Sequence, residues 1–145
     1  MMGYLADGTC PMLQARKCSI YSHRPQTCRD YDCRVFAAAG IDAGGADKAV
    51  INKRVREWQF TYATETDKLA HAAVRSAANF ILTKKSSFPN GRAPTAPTGV
   101  AVLAIKVYAV FLDGNLPEKN DEDIASAIVQ ASGEFDSCDS TRAVD

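Results

Sequence analysis

Four of the five cysteines fall within 24 residues, at Cys10, Cys18, Cys28 and Cys33, in the spacing C-x7-C-x9-C-x4-C. Thiols at that density suit three chemistries. Sulfur donates well to zinc or iron, and four thiolates fill a tetrahedral shell. Oxidised pairs would form a disulfide framework, which a chain opening without a signal peptide does not favour. Buried and reduced, cysteines act as small hydrophobes. The pattern lacks C-x2-C, the knuckle with which most isolated zinc modules present two sulfurs from one turn. Arg16, Lys17, Arg24, Arg29 and Arg34 lie beside or between these cysteines, against Asp30 and Asp32. Cations so placed offset the excess negative charge of a four-thiolate site.

The words around the cysteines are themselves informative: Cys10-Pro11-Met12-Leu13, Cys18-Ser19-Ile20-Tyr21, Arg24-Pro25, Cys28-Arg29 and Tyr31-Asp32-Cys33. Together they resemble the C-terminal half of the YkgJ-type cysteine-cluster family, whose members share C-P-x-L followed by C-x-I-Y-x-x-R-P-x-x-C-R-x-[FY]-x-C. The resemblance covers about 25 of the 145 residues. It implies metal chelation through Cys10, Cys18, Cys28 and Cys33, by zinc or iron, including iron in an iron-sulfur cluster. Flagellin lysine methylases carry a related cysteine region, but this chain has no glycine-rich strand-turn-helix word for a cofactor. Family members also begin with a C-x2-C-x2-C-C word, whereas nine residues precede Cys10 here and none is cysteine. The expectation is an incomplete site, either because the chain starts late or because it is a reduced variant.

Other reactive residues carry less. His23, between Cys18 and Cys28, is a zinc-ligand candidate but reads first as a solvent-facing turn residue. His71 sits in a helical stretch away from the cluster and reads as surface, and Cys138 as an isolated thiol. Arg24-Pro25 suits a structural turn, with Pro25 as first residue of a helical turn through Thr27 to Tyr31. No Ser-His-Asp set, paired-carboxylate word or phosphate loop is present.

The elements that must position the cysteines follow from periodicity. Residues 1–45 are turn-rich, with Ser19-Ile20-Tyr21 as a brief strand. From Asp47 to Thr83, the residues Ile51, Val55, Trp58, Tyr62, Leu69, Ala73, Ala77 and Phe80 recur at steps of three, four or seven, which predicts one buried helical stripe with Trp58 and Tyr62 in the core. Thr64-Glu65-Thr66-Asp67 reads as a capping box dividing it into two helices near residue 65. Residues 86–97 are a loop. Val100 to Leu112 predicts a buried helix ended by Asp113-Gly114, and Asn120 caps a last helix through Ala131 with Gly133 just past its end. The fold expected is mainly α, a single domain over 1–145: irregular cysteine-rich loops (1–45) packed on a helical region (46–133), with a flexible tail at 134–145.

Charge is zero overall but divided: residues 1–34 carry five Lys/Arg against three Asp, residues 35–112 ten against five, and residues 113–145 two against nine. A basic middle and an acidic end suit pairing within the molecule, with an acidic docking tail as the other use. Neutrality argues against nucleic acid as partner. The longest apolar run, Val100 to Leu112, is about thirteen residues against the roughly twenty that cross a bilayer, so no membrane span is expected. Met1 to Thr9 lacks the basic and apolar regions of a signal peptide, which points to the cytoplasm. The function expected is a metal-binding cysteine cluster, structural or redox-related, with no catalytic residue indicated. The alternatives are a metal-dependent enzyme and a helical interaction module.

Overall fold

Residues 5–6, 10–15, 17–23, 33–112 and 116–140 are described by the computed structural model. Its first α-helix, α1 (Arg34–Ala39), has six residues and is too short to be stable alone. It forms because Phe36, Ala37 and Ala39 are buried, Phe36 wholly. It ends in a Schellman turn: Gly40 takes the left-handed φ of 69°, its N–H reaches the Ala37 carbonyl at 3.3 Å, and the Ile41 N–H reaches that of Phe36 at 3.1 Å.

Helix α2 (Ala49–Glu57) buries Asn52 and Val55. Asn52 is the one buried polar side chain among the described residues, and both ends of its amide are used. Its Oδ1 accepts from the Ala43 N–H at 2.7 Å, and its Nδ2 donates to the Gly44 carbonyl at 2.9 Å. This amide clamps the 43–44 loop onto α2.

The chain then leaves the helix, with Trp58 at φ −70°, ψ 126°. Helix α3 (Glu65–Thr83) starts at the expected capping box. Asp67 N–H donates to Thr64 Oγ1 at 3.1 Å, and Thr64 N–H donates to Asp67 Oδ2 at 3.1 Å. Helix α4 (Pro97–Val107) opens on the proline that suits a first helical position and runs on as a 3-10 turn through Leu112. Helix α5 (Asp121–Ser140) starts at Asn120, whose Oδ1 accepts from Asp123 N–H at 2.8 Å.

Helix α3 packs along α4 and its 3-10 extension, α1 lies against both, and α5 covers α4. Alanine makes this possible. Ala77 and Ala78 of α3, Ala101 and Ala104 of α4 and Ala125 of α5 are all wholly buried, so the helices approach with little more than methyl groups between them. Ile81, Val100, Val107 and Ile128 fill what remains. The architecture is mainly α, with a two-stranded hairpin as the sheet among the described residues. No helix in them is long and apolar enough to cross a membrane.

Three expectations need correction. Trp58, Tyr62 and Leu69 are 47%, 42% and 59% exposed rather than core, because the helix stops at Glu57 and the stripe loses its phase across the extended link before resuming at Ala73. Ser19 and Ile20 form a turn and Tyr21 enters a 3-10 turn; the strands lie just before them. Helix α5 runs through Gly133 to Ser140, so the glycine is not its stop and the helix takes in residues 134–140. The helical turn expected from Pro25 lies outside the described residues.

Removing the Asn52 amide should leave the Ala43 N–H buried without a partner. Asn52→Ala is therefore expected to cost about 1–3 kcal/mol in urea unfolding, whereas Trp58→Ala, being half exposed, should cost only about 1 kcal/mol. Equal losses would contradict this burial.

Candidate metal centre

Cys10 opens a β-turn with Pro11 next in it, the position proline prefers, and its carbonyl accepts from the Leu13 N–H at 2.9 Å. Strands β1 (Leu13–Gln14) and β2 (Lys17–Cys18) then pair antiparallel, with Leu13 opposite Cys18 and Gln14 opposite Lys17. Ser19 fastens the open end: its N–H and its hydroxyl both donate to the Met12 carbonyl, at 2.8 and 2.9 Å. A turn spans at most about 7 Å and a cross-strand pair about 5 Å. One hairpin therefore holds the Cys10 and Cys18 backbones within about 12 Å of each other.

Cys33 stands on a different element, immediately before α1. Its carbonyl accepts from the Phe36 N–H at 3.2 Å, and its side chain packs at the edge of the hydrophobic core. Cys10, Cys18 and Cys33 are all half-buried and none is in a disulfide. Cys28, with Arg24, Pro25, Arg29, Asp30, Tyr31 and Asp32, lies outside the described residues, as does Arg16. Lys17 and Arg34 are exposed. Among the described residues, no three His, Cys, Asp or Glu side chains form a group able to hold a metal ion. The structure thus joins Cys10 and Cys18 on one hairpin and sets Cys33 on another element, at the foot of the helical body. Exposed His23 ends a 3-10 turn, its N–H donating to the Ile20 carbonyl at 2.9 Å.

The residue that the sequence undervalues is His71. It is half-buried, with both ring nitrogens engaged. Nε2 donates to the Ala38 carbonyl at 2.9 Å, which leaves Nδ1 to accept from the Tyr62 phenol at 2.5 Å. The Phe60 ring packs against it at 4.3 Å between centroids and the Tyr62 ring at 5.7 Å. Nearby, Arg56 donates through Nε and Nη2 to the two carboxylate oxygens of Asp42, and this hydrogen-bonded ion pair raises the guanidinium pKa above its ordinary value.

No family model, curated protein or solved structure matches the chain. The resemblance of residues 10–33 to the cysteine-cluster family rests on those residues.

Ala15 sits at the hairpin tip with φ of 48°, a left-handed conformation that costs an L-residue with a Cβ about 1 kcal/mol. Ala15→Gly should relieve it. The amide protons of Leu13 and Ser19 are expected to gain up to about fivefold in hydrogen-exchange protection, and unchanged or weaker protection would contradict the strain.

Proposed function

We propose that this chain is a metal-binding cysteine-cluster protein that holds zinc or iron, including iron in an iron-sulfur cluster, through Cys10, Cys18, Cys28 and Cys33. The observation that carries the reading is the hairpin: it presents two reduced, partly buried thiols, Cys10 and Cys18, from a register pinned by the Leu13–Cys18 pair and by Ser19 on Met12. The donor set fits a thiophilic ion. It fits only as a composite, with two sulfurs from the hairpin, one from the start of α1, and Cys28 from the segment between them. In this reading the metal fastens the N-terminal loops to the helical body or serves redox chemistry, and no residue is assigned to catalysis. Its partner is the metal ion itself. A net charge of zero argues against nucleic acid as the partner, and reduced thiols suit the cytoplasm.

Donors delivered from separate loops bind against the entropy of closing those loops. Protein purified without oxygen is therefore expected to carry zinc or iron that a strong chelator removes. Elemental analysis, with an ultraviolet-visible scan for cluster absorption, reads the content, and Cys18→Ser should abolish most of it. Fully reduced protein that takes up neither metal on reconstitution would overturn the reading.

A further inference from the structure

The link between α2 and α3 begins and ends in extended backbone and pairs with no strand among the described residues. Trp58 begins it at φ −70°, ψ 126°, and Thr64 ends it at φ −136°, ψ 161°. Among the described residues, no backbone amide or carbonyl of residues 59–63 takes part in a hydrogen bond. Yet the segment is held in place. The Trp58 N–H donates to the Val55 carbonyl at 3.3 Å, the capping box fixes Thr64, and Phe60 and Tyr62 both rest on His71. Its large side chains alternate, Trp58, Phe60 and Tyr62, and they are 47%, 36% and 42% exposed.

Beside it runs a groove of about 290 Å³ whose walls include Trp58, Phe60, Ile41 and Val55 and whose cations are Arg56 and Arg75. Arg56 is committed to Asp42. Arg75 lies flat over Gly40, where an added Cβ would come within 2.7 Å of its Nε. It makes no ion pair or hydrogen bond among the described residues. Trp58 and Phe60 of the unpaired segment and the uncommitted Arg75 guanidinium thus line one groove, with the Asp42 carboxylate beside them neutralised by Arg56.

We propose that this groove is a docking site for an extended acidic segment of a partner protein, which adds as a strand along Trp58–Tyr62 and places a carboxylate on Arg75. Strand addition satisfies the free amides and carbonyls, and alternate side chains of the incoming strand meet the aromatic row. The host segment is already ordered, so little conformational entropy opposes docking. Charge selects the occupant. A second copy pairing through the same segment brings Trp58-Gln59-Phe60-Thr61-Tyr62-Ala63, which holds no carboxylate for Arg75, and the adjoining Glu57 is already paired with Lys53 and Arg54. A small free acid would engage Arg75 but leave the backbone edge unpaired.

Trp58 is the chain's one tryptophan, so its fluorescence reads binding in the unlabelled full-length protein. The probes are short blocked peptides that alternate apolar residues with glutamate, with lysine or with serine, the glutamate peptide N-methylated along one or the other edge, and glutarate alone. The glutamate peptides should titrate to saturation, and those with lysine or serine should bind at least about tenfold more weakly. N-methylation of one edge only should abolish binding. Arg75→Gln should lose about tenfold for the glutamate peptides and nothing for the serine ones, with an unchanged circular dichroism spectrum and melting curve as control. Arg75→Lys, which retains the charge, should recover part of the loss. The proposal fails if no peptide saturates, if glutamate confers no advantage, if glutarate binds as well as the peptides, or if both N-methylated forms bind. Self-association of the chain through this segment, lost in Phe60→Lys by sedimentation, would overturn it in favour of a second copy.

Discussion

The burial of Phe36 is the constraint on which the chain at both ends of α1 depends. A helix of six residues cannot hold itself together, and full burial of one large side chain supplies about 1.5–3 kcal/mol toward docking it. Once α1 is seated against α3 and α4, Cys33 has a fixed place at its start. At its other end the Schellman turn at Gly40 returns the chain toward α2, and Asn52 holds the returning loop. The carbonyl of Ala38 then offers His71 its partner.

The body behind α1 gains closeness from alanine rather than bulk. Five wholly buried alanines at the facing surfaces of α3, α4 and α5 bring many backbone and methyl atoms into contact, and dispersion accumulates over such contacts although each is small. The basic middle and the acidic end of the chain meet within this body at Lys84 and Asp121, 2.7 Å apart where α3 ends and α5 begins. Both partners are nearly half exposed, so the pair contributes little to stability. It places a cation beside the first turn of α5, where Asp121, Glu122 and Asp123 already suit the helix dipole.

What could be read from the sequence was what local chemistry determines. Thr64 with Asp67 and Asn120 each mark a helix start, because a cap is decided by residues within one turn, whereas Pro97, read as the end of a loop, is the first residue of α4. The misreadings arose where two periods coincide. Trp58 and Tyr62 are four apart, a helical step, but with Phe60 they also alternate as a strand does; only the departure of the backbone after Glu57 separates the two. The hairpin was hidden because Ala15 takes a left-handed conformation that ordinarily announces itself as glycine or asparagine. The spacing of Cys10 and Cys18 therefore gave no sign that they share one hairpin. Gly133 misled in the opposite direction, since the cost of a glycine at an exposed helix position is only about 1 kcal/mol and the twenty residues of α5 absorb it.

The cysteine region and the aromatic groove are connected through α1, and its length makes that connection short. Six residues rise only about 9 Å, with Cys33 at one end and Ala38 and Gly40 at the other. Ala38 positions His71, on which Phe60 and Tyr62 rest, and Gly40 leaves the space in which Arg75 lies. A close-packed interior transmits displacement rather than absorbing it, and the wholly buried Phe36 allows α1 little freedom to tilt. Loosening the buried face of α1 would then release Cys33 and disorder the support of the groove together. A change confined to the hairpin, which carries Cys10 and Cys18 on its own hydrogen bonds, would leave the groove as it is.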